Sequence, residues 1–339
     1  MTIKRYNAGI QRAKGLCEIA AALYDSSLSH QTRRAAEGML QTDSRVGRVV
    51  RLSLGVRATG PKDDVPISFA TGSFREIIAV AQGEYSLAWV NPSILLTMAY
   101  RGTGLFKKKL PLRTIAVFPS FDVMGFAVHE STGITSFEQI KRERRPLRVS
   151  TGTLPRNDLE ASATMFTVSA VLRAAGFTLS DIRKWGGKIH SAPRPSDPVR
   201  RASIENGTVD AIFDEGIKSW GQTALDNGFR YLPIDGQVLR HMTALGYRRT
   251  DMSRCGFRKK INVQTVDFSG WPMIVHADMP NDVAYALCES IENRKQFIPT
   301  DNYKALNLRQ LCADDDEAPF DAPLHPGARR FYRDRGFIR

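Results

Sequence analysis

Apolar positions along the chain change period several times, and each change predicts an element. Residues 1 to 44 read as helical, with Ile10, Ala13, Leu16, Cys17, Ala20, Leu23 and Tyr24 near helical spacing. Ser29 stands where a cap for a second helix through Leu40 is expected. From Val46 the period shortens. Val49 to Val56 alternates as a strand does, and Pro66 to Ala70 predicts another. Phe74 to Gln82 predicts a helix ended by Gly83, and Tyr85 to Val90 an apolar strand running into Asn91-Pro92. Ser93 is placed to cap the helix that follows.

The same alternation continues. Ile115 to Pro119 and Met124 to His129 predict strands, and Phe137 to Arg145 a charged helix opened by Thr135-Ser136-Phe137-Glu138. Leu147 to Ser150 predicts a strand, and Asp158 to Ala175 a long helix stopped by Gly176. Val199 to Asn206 reads as a helix, Val209 to Phe213 and Trp271 to His276 as strands, and Asp282 to Asn293 as a helix. Pro326 opens a last helix and Gly336 closes it. Strands alternating with helices across short polar turns define an α/β fold. The expected division is an N-terminal helical extension over 1–44, a discontinuous first lobe over 45–145 and 268–339, and a second lobe over 146–267. The chain would cross between lobes near Arg144 to Leu147 and return near Ile261 to Phe268.

Composition narrows the class. At 42% hydrophobic and 24% charged residues, the chain has the make-up of a globular protein rather than a disordered one. No stretch reaches the roughly 18 consecutive apolar residues of a membrane span. Arg12, Lys14 and Glu18 interrupt the apolar run a secretory signal needs, so the chain as written reads as cytoplasmic. A start misassigned or an atypical export route would make it periplasmic. Cys17, Cys255, Cys288 and Cys312 form no CxxC pair and read as buried free thiols. The net charge of +13 favours anionic partners. Its basic residues are dispersed in short runs, Arg200-Arg201 among them, each read as a solvated helix end or loop. No zinc finger, RNA-recognition signature or basic zipper accompanies them, so nucleic acid is not the expected partner.

Candidate chemistry lies where strands run into helices, because helix N-termini there present free N–H groups. Thr71-Gly72-Ser73 follows a strand and leads into a helix, either as a ligand turn or as an ordinary cap. Thr151-Gly152-Thr153 repeats the arrangement, with Arg156 and Asn157 at the helix mouth. Arg156 is either a carboxylate contact or an exposed side chain. Trp89 is core or pocket wall, and Asn91 ends the same strand. Asp214 takes a ligand hydroxyl or ammonium, or caps a helix. There is no GxSxG, HExxH or P-loop, and the six histidines have no metal-ligand spacing. No metal and no cofactor is expected, and no catalytic residue is assigned.

Several motifs resemble one family. Ala70-Thr71-Gly72-Ser73 with Gly83-Glu84 and Leu87-Ala88-Trp89-Val90 is similar to the stretch where TAXI receptors carry a Thr-Gly-Gly turn before a strand. Asn206 to Phe213, His276 to Tyr285 and the tail Pro323-Leu324-His325-Pro326-Gly327-Ala328 follow in that family's order. The resemblance covers residues 46 to 339. It implies a two-lobe type II periplasmic-binding-protein fold and a solute receptor of tripartite (TRAP) transporters, partnered by a membrane permease. It further implies a small organic anion, a carboxylate, bound between the lobes by Thr71, Gly72, Ser73, Asn91, Thr151, Gly152, Thr153 and Asp214. Two features depart from the pattern. Leu54 to Val65 is too short for the helix that follows the first strand in that family, and the export signal is missing. The alternative expectation is a cytoplasmic enzyme, such as a decarboxylase or isomerase of a small acid, or a ligand sensor on the same fold.

Overall fold

The computed structural model describes residues 52–57, 64–72, 74–85, 87–154, 162–295 and 306–339. The helices expected over 1–44 lie outside these residues. Contacts divide the chain into two compact units, Met1–Phe121 with Ser269–Arg339, and Asp122–Phe268. Both are α/β, and each holds a five-stranded mixed sheet.

In the first unit, β1 (Leu52–Arg57) pairs antiparallel with β2 (Asp64–Gly72), and β2 pairs parallel with β3 (Leu87–Val90). β12 (Trp271–His276) lies antiparallel between β3 and β4 (Leu112–Phe118). Helix α1 (Phe74–Ala81) buries Ile77, Ala79 and Val80, as its period predicts. Helix α2 (Ser93–Arg101) ends at Gly102, whose φ of 72° suits glycine. A Cβ there would also stand 2.6 Å from the Lys109 amide nitrogen, so the following loop closes tightly on the helix end. Ser93 does not cap α2: it is the first helical residue, and its buried hydroxyl makes no capping bond.

The C-terminal signature is a packing device. Helix α10 (Pro326–Asp334) is capped by His325, whose Nδ1 accepts from Gly327 N. It buries Ala328, Phe331 and Tyr332 in one cluster with Ala284, Leu287, Cys288 and Ile291 of α9 (Asn281–Arg294). The same cluster reaches Leu87, Ile115 and Met273 of the sheet. The helix therefore closes the core that the central strands open.

The second unit is built on β6 (Arg148–Thr151), parallel to β7 (Lys188–Ser191) and to β8 (Ala211–Asp214). β5 (Gly125–His129) pairs antiparallel with β8 and with β9 (Phe229–Tyr231). Helices α3 (Phe137–Glu143), α4 (Ala163–Ala174), α5 (Leu179–Lys184), α6 (Pro198–Glu205), α7 (Ile217–Asp226) and α8 (Gly236–Leu245) complete it, with a ribbon of β10 (Arg249–Asp251) and β11 (Gln264–Val266). The rings of Phe126, Phe137 and Phe213 meet at its centre, at 5.2 Å for each pair with Phe126.

Three boundaries differ from the sequence reading. The chain leaves the first unit at Phe121, not near Arg144 to Leu147, because β5 and α3 belong with the second sheet. The second unit ends at Phe268. Within the first unit Gly270 N donates to Ser120 O at 2.9 Å, and within the second Phe268 N donates to Asp122 O at 2.9 Å. The cap of α3 is Ser136, not Thr135, and it accepts from Gln139 N at 3.2 Å. Helix α4 begins at Ala163 behind the cap Ser162, later than Asp158. No described helix is long and apolar enough to cross a membrane. Cys255, Cys288 and Cys312 are free and buried, as expected. Burial pushes the Cys255 thiol up to about 12 and that of Cys312 to about 11, so neither is a ready thiolate at neutral pH.

Candidate functional site

In the first unit the parallel pair β2–β3 sets Thr71 beside Trp89 and Gly72 beside Val90. Thr71 and Gly72 thus share the carboxyl end of the sheet with Asn91, the next residue after β3. They close the strand rather than forming a separate turn, and α1 starts at Phe74. Ser73 lies outside the described residues. Trp89 is core: it is buried, its Nε1–H donates to Trp271 O at 2.8 Å, and its ring lies 4.5 Å from that of Phe118. Asn91 Nδ2 donates to Gly270 O at 3.0 Å, which ties the strand end to the chain re-entering this unit. The Asn91-Pro92 peptide is cis.

In the second unit β6 and β8 end together. Thr151 is paired in register with Phe213, and its buried hydroxyl donates to Phe213 O at 2.6 Å. Gly152 follows, where a Cβ would stand 3.2 Å from Met165 Sδ in the first turn of α4. Glycine here lets the strand end approach a helix start. Ser162 caps that helix by accepting from Met165 N at 3.1 Å. Thr153 is exposed. Arg156 and Asn157 lie outside the described residues.

Asp214 ends β8 and is buried, but its carboxylate is engaged. Oδ2 pairs with Arg200 Nη2, and Oδ1 accepts from Glu215 N at 2.8 Å. Arg200 itself is 1% exposed, and its Nε donates to Ser150 Oγ at 3.1 Å. The sequence reading treated Arg200-Arg201 as a solvated pair. The structure corrects that for Arg200, which shares the buried face of α6 with Ser203 and Ile204, three and four residues on. That spacing was the available signal, and the adjacent arginine masked it.

Asp122 completes the strand-end cluster. Its Oδ1 accepts from Val123 N at 2.8 Å, and its Oδ2 from Gly216 N at 3.0 Å. Burial raises its carboxyl to about 6, against the pull of a hydrogen bond with Glu215, of the two amides and of the Lys218 charge. No group of His, Cys, Asp and Glu among the described residues is arranged to hold a metal.

The arrangement is that of a two-unit α/β protein in which one parallel-paired strand of each sheet, β2 and β6, ends at a Thr-Gly pair. Residues 50–336 match the NMT1-like family, and the chain belongs to that family. Among solved structures, the chain is similar to the alkanesulfonate-binding protein SsuA from Xanthomonas axonopodis pv. citri bound to MOPS, at 14% identity and a TM-score of 0.31, over 66% of this chain and 57% of that one. A TctC solute binding protein from Polaromonas is 15% identical at a TM-score of 0.34, over 76% of this chain and 78% of that one. A structure described as a periplasmic transporter is 13% identical at a TM-score of 0.37, over 78% and 81%. The chain spans little more than half the length of the SsuA chain.

Proposed function

We propose that this protein is a solute receptor that binds a small carboxylate-bearing organic anion. It works outside the cytoplasm as a TAXI-type receptor with a TRAP-type membrane permease. The observation that carries the reading is the pair of strand ends. In each unit, parallel strands finish side by side at a Thr-Gly pair, Thr71-Gly72 and Thr151-Gly152, and a helix follows. Such ends present backbone N–H groups and the positive pole of a helix, which favours anions. Membership of the NMT1-like family and the net charge of +13 support the same reading. In this proposal Ser73, Thr153, Arg156 and Asn157 extend the two strand ends.

The test is calorimetric titration of acetate, succinate, glutamate and benzoate, each beside its neutral amide. An acid is expected to bind and its amide to bind at least tenfold less well. Arg156→Ala should weaken the best acid about tenfold to a hundredfold, the worth of one charge-assisted bond. Equal binding of acids and amides refutes the anion-receptor reading.

A further inference from the structure

Among the buried polar atoms of the second unit without a hydrogen-bond partner in the described residues are Arg200 Nη1 and His190 Nε2. Both residues adjoin Ser150. Ser150 Oγ accepts from Arg200 Nε at 3.1 Å, and the β6–β7 register sets His190 directly beside Ser150. Residues paired across adjacent strands project from the same face. Ser150 therefore has the guanidinium bonded to its hydroxyl and His190 beside it on the adjacent strand. Ser150 stands one residue from the carboxyl end of β6, and Asp214, the other partner of Arg200, ends β8.

Such a pair calls for an occupant. A buried charged donor left unmet is costly, and native folds rarely leave one without an anion or a water. Arg200 is held from two sides, by Ser150 and Asp214, so its remaining nitrogen is fixed in place rather than free to swing out. A guanidinium held in this way presents a planar donor edge suited to a carboxylate oxygen. His190 Nε2, in the tautomer that carries its proton there, serves the second oxygen.

We propose that Arg200 Nη1 and His190 Nε2 hold the carboxylate of the bound anion. The inference rests on the anion-receptor reading above and names the group it recognises. It also sets the charge. With Asp214 already offsetting Arg200, the two donors rather than a net positive charge hold the carboxylate, and a second negative charge on the ligand is repelled by Asp214. Monocarboxylates are favoured here over inorganic phosphate, which is largely dianionic above neutral pH.

The experiment titrates wild type, Arg200→Lys and His190→Leu with acetate, benzoate and inorganic phosphate at pH 7.5. Circular dichroism confirms the fold of each variant. Arg200→Lys keeps the charge but removes Nη1, and should weaken the better acid at least tenfold. His190→Leu, on a half-buried strand, should weaken it about twofold to tenfold. Phosphate should bind wild type more weakly than the better acid. In parallel, the guanidinium ¹⁵N resonances of wild-type Arg200 should move on adding the better acid, which keeps the test decisive where Arg200→Lys fails to fold. Unchanged affinity in a folded Arg200→Lys, unmoved Arg200 resonances on saturation, or phosphate bound more tightly than either acid overturns this assignment while leaving the anion-receptor reading intact. If neither acid binds wild type and the wider acid panel also fails, the anion-receptor reading falls and this assignment with it.

Discussion

Gly327 offers a sharp test of how the C-terminal signature works. It sits in the first turn of α10, and a Cβ built on it would stand 2.0 Å from Asn281 O, 2.8 Å from Asn281 C and 3.0 Å from Ala284 Cβ. The obstacle is the backbone at the start of α9, which cannot swing aside as a side chain can. A relaxed carbon–oxygen contact needs about 3.3 Å, so Gly327→Ala must part the helices by roughly 1.3 Å. A gap of that order forfeits about half of the dispersion attraction of the atoms facing it. Phe331 and Tyr332, both buried against α9, lie in that interface. Overpacking typically costs about 1–3 kcal/mol, and an immovable neighbour places this case at about 3 kcal/mol or above. For a folding unit of this size that lowers Tm by about 6–12 °C. Thermal melts followed by circular dichroism measure it. The control is Gly336→Ala, where φ is +70° but nothing lies within 4 Å, so only about 1–2 kcal/mol of backbone strain is expected. If Gly327→Ala is no more destabilised than Gly336→Ala, close approach of the two helices is not what the signature provides.

Two further outcomes follow from the second unit. The Asp122 carboxyl is raised to about 6 in the fold, chiefly by burial, so its stabilising contribution is complete below the unfolded value of about 3.9 and is lost as pH rises through about 6. Asp122→Asn should therefore gain about 2–3 kcal/mol on wild type between pH 4 and pH 7 in urea melts, and parallel pH profiles would contradict the assignment. Asp214→Ala leaves the Arg200 guanidinium buried without its carboxylate and should cost about 3–5 kcal/mol, read from the urea midpoint; a loss below 1 kcal/mol would show that the pair is not holding β8 to α6.

Much of this protein is written in local pattern. Helices α4 and α9 and the strands at Leu112–Phe118 and Trp271–His276 were legible because their apolar periods run for several residues and are bounded by glycine or proline, whereas α7 and α8 were not read. The short elements β7, β9, β10 and β11 were not, since charged or polar residues interrupt their three or four positions and leave no apolar run to read. The Thr-Gly strand ends were legible too, because residues that permit close backbone approach leave a mark in sequence. What those side chains bond to was decided in three dimensions. Trp89 and Asn91 turn to the carbonyls of Trp271 and Gly270, and Thr151 to that of Phe213, partners that no local pattern names. The unit boundary at Phe121 likewise depends on β5 pairing with β8, more than eighty residues ahead in the chain. Arg200 is the clearest case. By composition it is one of two adjacent arginines on a basic chain, and burial of an arginine depends on distant partners that neutralise it. Ser150 and Asp214 lie 50 and 14 residues away and meet it only when β6, β8 and α6 pack together.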